Sequence, residues 1–300
     1  MDFSTPVAIV VDAGKCKKDG LCAQVCPCRI FRWSKGENPT IERADECVLC
    51  GQCIAVCPGE AITHSRLDPG RFVEIADKKP VSADAMTAFL RQRRSVRVYR
   101  DRPVEKELLE EIAAAAGFAP TGAFGGEGWV RRVTVVSGKD RMRRVAESTV
   151  DYMRKLARVL DGVMVRTVAR FSAAAGAGLL TLPDIRMRLA EWDQGRDVVT
   201  YDAPAAIFVS ASPKTVTPRE DCDAALMNII FAAHSHGLGT CWNGWMGHAA
   251  AGEHVRGGGE LGRILGLPDG HSIVEALTLG WPGVKLLRVP QRETEVRWVE

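Results

Sequence analysis

Eight of the ten cysteines of this chain fall between Cys16 and Cys57, and that crowding constrains the fold more than any other feature of the sequence. The remainder of the 300 residues holds only Cys222 and Cys241. Thiols packed so closely either pair with one another or bind metal. Disulfide frameworks belong to small secreted chains that lack a sufficient core. Here the N-terminus offers five consecutive apolar residues, Val7 to Val11, before Asp12, too few for a signal peptide. No segment approaches the roughly 20 apolar residues needed to cross a bilayer. The expected compartment is therefore the cytoplasm, with no membrane partner, and the clustered cysteines are expected to bind metal.

The second cysteine run is Cys47-x-x-Cys50-x-x-Cys53-x-x-x-Cys57-Pro58. The first repeats its frame with one change, Cys16-x-x-Asp19-x-x-Cys22-x-x-x-Cys26-Pro27. This spacing resembles that of bacterial-type ferredoxins, in which three close thiolates hold one iron–sulfur cluster and the fourth cysteine reaches its neighbour. The resemblance implies a small two-cluster ferredoxin-like domain over residues 1–76. Cluster I would take Cys16, Cys22 and Cys57, and cluster II would take Cys47, Cys50, Cys53 and Cys26. Zinc is the competing reading, although zinc sites favour two separated C-x-x-C pairs. Cluster II is expected to be [4Fe–4S]. At cluster I the fourth position is faced by Asp19, a harder ligand than a thiolate that should hold its iron less firmly. A [4Fe–4S] cluster with oxygen ligation, a [3Fe–4S] cluster, and a solvated Asp19 that ligates nothing all stay open. Cys28 is expected to point elsewhere as a small packed residue, replacement of the missing thiolate being the alternative.

Beyond the cysteines the patterning alternates between helix and strand. Val7–Val11 reads as a strand with Phe72–Ile75 as its partner, and Asp77–Pro80 as a linker closed by proline. Ser82 or Asp84 can cap a helix carrying Met86, Phe89 and Leu90. Pro103–Gly117 reads as an amphipathic helix with Leu108, Leu109 and Ile112 on one face. Val133–Val136, Ala205–Ala211 and Ile273–Gly280 suit buried strands. Asp140–Phe171 reads as an Arg-rich helix, Asp221–Gly237 as a long helix buried on most faces, and the chain from Val284 as an extended tail. Helices around a sheet give an α+β class for residues 82–300.

Within that second region, Arg93-Arg94-Ser95-Val96-Arg97 and Ala119-Pro120-Thr121-Gly122 flank the Pro103–Gly117 helix. Further on come Asp202-Ala203-Pro204, the stretch Ala232 to Trp242, Leu279-Gly280-Trp281-Pro282 and Val289-Pro290-Gln291-Arg292. Together these resemble the nitroreductase superfamily over residues 85–300, and the whole chain resembles its ferredoxin-fused branch. The resemblance implies a nitroreductase-like α+β FMN domain, an FMN-dependent oxidoreductase activity, and a homodimer with the flavin at a two-fold interface. Arg93, Arg94, Ser95 and Arg97 carry over as phosphate and ribityl contacts, joined by Pro120, Thr121, Gly122 and Arg292. Guanidinium groups suit a phosphate dianion through charge-assisted, often bidentate hydrogen bonds. Trp242, Asn243 and Gly244 fall where the family lays backbone against the flavin's reactive edge. One stretch departs from the pattern. Where the family shows an asparagine, a glutamine and a proline, this chain has Ala123 to Trp129 with three glycines, so those amide contacts lack counterparts.

Charge narrows the partners. The net charge is +3, with 26% charged residues, which gives no bulk argument for nucleic acid or for a membrane surface. No strand-linked dinucleotide fingerprint occurs; Gly257–Gly259 is a lone glycine run that reads as a loop. No side chain stands out as catalytic, because the resemblance leaves the chemistry to the flavin. The expected function is transfer of electrons from a ferredoxin-like or other low-potential donor through two clusters to FMN. A small nitro, quinone or activated-alkene acceptor would then receive them. Two alternatives remain: an electron-transfer subunit serving a protein partner, and a zinc-bound recognition module on a degenerate flavin fold.

Overall fold

The computed structural model of the chain describes residues 7–75, 80–122, 131–213, 215–252, 259–290 and 293–299. Contacts divide it into two units. The first comprises Met1–Lys79, Thr121–Val130 and Lys214–Pro218, and the second Pro80–Pro120, Arg131–Pro213 and Arg219–Glu300.

The first unit is built from short elements: β1 (Ile9–Val11), α1 (Leu21–Val25), β2 (Phe31–Arg32), β3 (Thr40–Ile41), α2 (Gln52–Ala55) and β4 (Ile62–His64). β1 pairs antiparallel with β4, Val10 opposite Thr63, and β2 pairs antiparallel with β3. The expected partner of β1, Phe72–Ile75, forms no strand. The edge of β1 is taken by β4, whose Ile62 and His64 alternate inward around an exposed Thr63. Phe72 instead lays its ring beside Gly51, 3.0 Å from where a Cβ would stand. The core holds Ile9, Ile30, Phe31, Leu49 and Ile62 together with four of the cysteines.

The two cysteine runs fold as one motif used twice. Lys18 and Leu49 both have positive φ (57° and 56°), Gly20 and Gly51 both have φ 73°, and Arg29 and Glu60 again match (52° and 48°). Each pair is separated by the offset that separates Cys16 from Cys47. On this offset Asp19 stands where Cys50 stands. The left-handed positions are needed because each three-residue loop must turn tightly before its helix begins, and glycine adopts that backbone without strain.

The second unit contains α3 (Ala83–Gln92), α4 (Lys106–Ala114), β5 (Arg132–Ser137), α5 (Lys139–Leu160), α6 (Val163–Val168) and α7 (Ala173–Asp193). These are followed by β6 (Ala205–Ala211), α8 (Pro218–Ser235), β7 (Gly239–Trp242), α9 (Gly244–Ala251), α10 (Glu260–Ile264) and β8 (Ile273–Gly280). Four strands form one antiparallel sheet in the order β5-β6-β8-β7. β6 is buried along its whole length, and β8 at every residue but Ile273, because helices cover both faces. Ala206, Phe208 and Ala276 face Met153, Ile185 and Met246 of α5, α7 and α9. Ile207, Val209, Leu277 and Leu279 face Leu109 and Ile112 of α4 and Leu226 and Ile229 of α8. Ser82 caps α3 by accepting the Ala85 N–H at 3.2 Å. The predicted Asp140–Phe171 helix is two helices, α5 and α6, and α7 continues through Pro183. The linker residues 77–79 lie outside the described residues.

Candidate functional site

In the first unit the cysteines surround two separate cavities. One is lined by Cys26, Cys47, Cys50 and Cys53, with Cys28, Ile30 and His64. The other is lined by Cys16, Asp19, Cys22 and Cys57, with Pro39 and Ile62. Each cavity thus draws on both runs, three positions from one and the last cysteine of the other. Among the described residues no three His, Cys, Asp or Glu groups converge on a single-ion position. The quartets instead enclose a space, an arrangement that suits a polynuclear cluster better than one zinc ion.

Burial dominates the electrostatics of the quartets. Burial pushes the Cys22, Cys47 and Cys53 thiols up, Cys53 to about 12, and neighbouring sulfurs add to each shift. Thiols in such surroundings stay protonated until a metal takes the proton's place. Backbone amides are already aimed at the sulfurs. Lys18, Ile30, Leu49 and Ala61 donate to Cys16, Cys26, Cys47 and Cys57 at 3.3 to 3.4 Å. These donors also follow the repeat. His64 adds a contact from Nε2 to Cys47 Sγ at 3.5 Å, and burial, with the Arg66 charge second, holds its pKa below the ordinary histidine value. Asp19 is exposed and lines its cavity, and its Oδ1 accepts the Leu21 N–H at 3.1 Å. Cys28 lines the opposite cavity, with the thiol raised by burial and then by Cys26.

In the second unit α3 ends at Arg93, whose φ and ψ (−66°, 120°) turn the chain into an extended path. That path is docked on β7: Ser95 bridges to Thr240, and the Val96 N–H donates to the Thr240 carbonyl at 2.9 Å. Gly239 makes the approach possible, because a Cβ there would lie 2.6 Å from Val96 Cγ2. Tyr99 locks the far end, its hydroxyl donating to the Val96 carbonyl at 2.8 Å and meeting Thr278 Oγ1 at 2.9 Å. The Arg93–Arg97 run and the Trp242–Gly244 turn are therefore brought to the same sheet edge. The Cys241 thiol lies at their junction. Burial raises its pKa, against the charges of Arg97 and Arg188 and hydrogen bonds from Arg97 and Ser95. Among the described residues Arg93, Arg94 and Arg97 form no ion pair with a carboxylate, so this edge carries uncompensated positive charge.

Asn243 and Gly244 make a helix start rather than a plain turn. Asn243 is buried; its Oδ1 accepts the Met246 N–H at 3.2 Å and its Nδ2 donates to the Val199 carbonyl at 2.6 Å. It caps α9, which the sequence reading missed, although an Asn before an apolar run is a helix-start signal. A Cβ on Gly244 would meet nothing within 4 Å among the described residues. Trp242 is 37% exposed and donates its indole N–H to Glu275 at 2.9 Å, a buried carboxylate also paired with Arg219 at 2.6 Å. Pro120 lies in the second unit, its carbonyl accepting from Arg131 at 3.2 Å. Thr121 and Gly122 group with the first unit, where Gly122 packs against Thr217. Arg292 and the Ala123–Trp129 segment lie outside the described residues. A phosphate-bearing flavin fits the unpaired arginines and the open face of Gly244.

An α+β unit with an arginine-rich sheet edge and a unit with two cysteine-lined cavities, carried on one chain, point to the class of iron–sulfur oxidoreductases. The model of the nitroreductase family matches residues 90–281, and that of the 4Fe-4S binding domain matches residues 42–63. This chain belongs to the nitroreductase family. It is 27% identical to a nitrobenzene nitroreductase of Ectopseudomonas oleovorans over 208 residues, which cover 64% of this chain and 85% of that protein. The N-terminal part is 40% identical over 61 residues to a protein named ferredoxin 7Fe from Hydrogenibacillus schlegelii, covering 20% of this chain and 76% of the relative. The fold is shared with a Bacteroides fragilis nitroreductase crystallised with bound FMN, at a TM-score of 0.52 and 23% identity, covering 71% of this chain and 98% of that one. The chain is thus a ferredoxin-fused oxidoreductase of the nitroreductase family.

Proposed function

We propose that this chain is an FMN-dependent iron–sulfur oxidoreductase, taking electrons from a low-potential, ferredoxin-like donor and delivering them to a small organic acceptor. The observation that carries this reading is the pair of cavities, each lined by cysteines of both runs. Residues 1–76 form the iron–sulfur domain and residues 82–300 the flavin domain in this proposal. Cys26, Cys47, Cys50 and Cys53 hold a [4Fe–4S] cluster. Cys16, Cys22 and Cys57, with Asp19 at the fourth position, hold the second. Its three-iron form is supported by the 7Fe of the Hydrogenibacillus relative's name, since a [3Fe–4S] and a [4Fe–4S] cluster together hold seven irons. Bound clusters supply one-electron steps and bound FMN joins one-electron to two-electron chemistry.

The residues of the chain do the holding. Arg93, Arg94, Ser95 and Arg97 bind the FMN phosphate and ribityl chain, with Pro120, Thr121, Gly122 and Arg292 as further contacts. The backbone at Trp242, Asn243 and Gly244 would hold the flavin ring, and the N-terminal end of α9 would favour negative charge there. Exposed apolar residues Val163, Met164, Phe171 and Leu180 support a homodimer. The free thiols support a reducing compartment, the cytoplasm. No helix of the described residues is long and apolar enough to cross a membrane.

The test is anaerobic purification followed by an optical spectrum and iron, zinc and flavin analysis. Broad brown absorbance with flavin peaks is expected; a colourless, zinc-containing protein overturns the reading. Steady-state turnover with a chemical reductant and a panel of nitroaromatics, quinones and activated alkenes then assigns the acceptor. No turnover with any of them turns the reading toward a carrier that serves a protein partner.

A further inference from the structure

The repeat that builds the two cavities is broken at one position that matters for chemistry. On the offset relating Cys16 to Cys47, His64 of β4 corresponds to Trp33. His64 is buried and lines the cavity of Cys26, Cys47, Cys50 and Cys53. Its Nδ1 accepts the Arg66 N–H at 3.0 Å, so the ring carries its proton on Nε2. Nε2 in turn stands 3.5 Å from Cys47 Sγ. Cys47 also receives the Leu49 N–H at 3.4 Å. That backbone donor has its counterpart at Cys16, from Lys18, whereas the histidine has none: Trp33 keeps its indole N–H buried and unpartnered among the described residues.

We propose that His64 is a positioning residue that donates an Nε2–H···S hydrogen bond to the Cys47 thiolate and raises the reduction potential of that cluster. The inference rests on the proposed ligand sets. Hydrogen bonds to cluster sulfurs are among the determinants of cluster potential, and they favour the more negative, reduced form. Strand geometry supplies the aim. β4 pairs with β1 in a register that places His64 opposite Ile9, on the buried face, and the Arg66 amide then fixes which nitrogen is protonated. The donor stabilises the reduced form of the cluster held by Cys26, Cys47, Cys50 and Cys53, making that site a better electron acceptor than it is without the histidine.

Holoprotein labelled with 15N-histidine, reduced with dithionite and examined by pulsed electron paramagnetic resonance, reads the bond directly. A 15N coupling on the reduced [4Fe–4S] signal is expected, and its loss in His64→Phe. Redox titration of His64→Phe should move that cluster alone to lower potential, by about tenfold in the reduction equilibrium, or ~59 mV for one electron. His64→Gln, which keeps an N–H donor, should recover part of the shift. A reduced [4Fe–4S] signal with no 15N coupling in the labelled wild-type protein overturns the inference while leaving the cluster reading intact. So does an iron-replete His64→Phe protein with an unmoved potential. If His64→Phe loses iron, the labelled wild-type spectrum decides. Absence of any [4Fe–4S] signal in the wild type overturns the ligand sets themselves.

Discussion

Arg93 and Asp19 are the two residues whose roles can be separated most cleanly. Arg93 closes α3 and carries no carboxylate partner among the described residues, so its charge is free for an anion. A hydrogen bond to a charged group contributes roughly 1.5–3 kcal/mol, about ten- to a hundredfold in affinity. Arg93→Ala is therefore expected to release FMN on gel filtration with iron content unchanged; full flavin occupancy would mark the run as a solvated face. Asp19 occupies the repeat position of Cys50, but it is exposed and one oxygen is already held by the Leu21 amide. Mild oxidation should yield a [3Fe–4S] signal from this cluster and spare the other. Asp19→Cys should supply the fourth thiolate and abolish that signal without changing flavin content. Cys28 offers no fallback ligand there, because it lines the opposite cavity.

At the level of elements, the docking of the Arg93–Arg97 path on β7 is the joint on which the flavin site depends. Gly239→Ala would drive a Cβ to within 2.6 Å of Val96, an overpacking that costs about 1–3 kcal/mol. The expected outcome is a lower denaturation midpoint together with weaker flavin retention. Adding Val96→Ala should restore much of both, since the two side chains meet directly. The sequence disclosed the elements with strong local signals: the cysteine frames, the Ser82 cap, the apolar runs of β6 and β8. It misled where tertiary pairing decides. Phe72–Ile75 looks as strand-like as Ile62–His64, yet only the latter follows directly from the Cys57 turn onto β1. β7 and α9 escaped because Gly239 to Gly244 is short, bounded by two glycines and without a period, and α7 because Pro183 argues against a helix. Arg93, Ser95 and Trp242 were legible as a group through resemblance; their shared sheet edge was not, because it rests on a bridge between residues far apart in sequence.

For the molecule as a whole, the question is whether the first unit is a conduit or a brace. Cys50 is exposed and stands at one corner of the [4Fe–4S] cavity. Cys50→Ser is expected to slow reduction of the flavin by a ferredoxin-like donor while leaving direct reduction by dithionite intact, as followed by flavin bleaching in stopped flow. Unchanged donor-driven reduction would mean that the clusters only support the fold. Sedimentation of the holoprotein tests the dimer, with a two-chain species expected. The crossed cysteines carry a further consequence, for biosynthesis. With the proposed ligands, Cys57 completes the set begun by Cys16, and Cys26 completes the set begun by Cys47. Neither half of the repeat is a usable container by itself. A nascent chain that has emerged only as far as Cys26 displays thiols with no finished site for iron. Metal delivery must therefore wait until Cys57 has left the ribosome, and a chain stalled earlier exposes those thiols to oxidation.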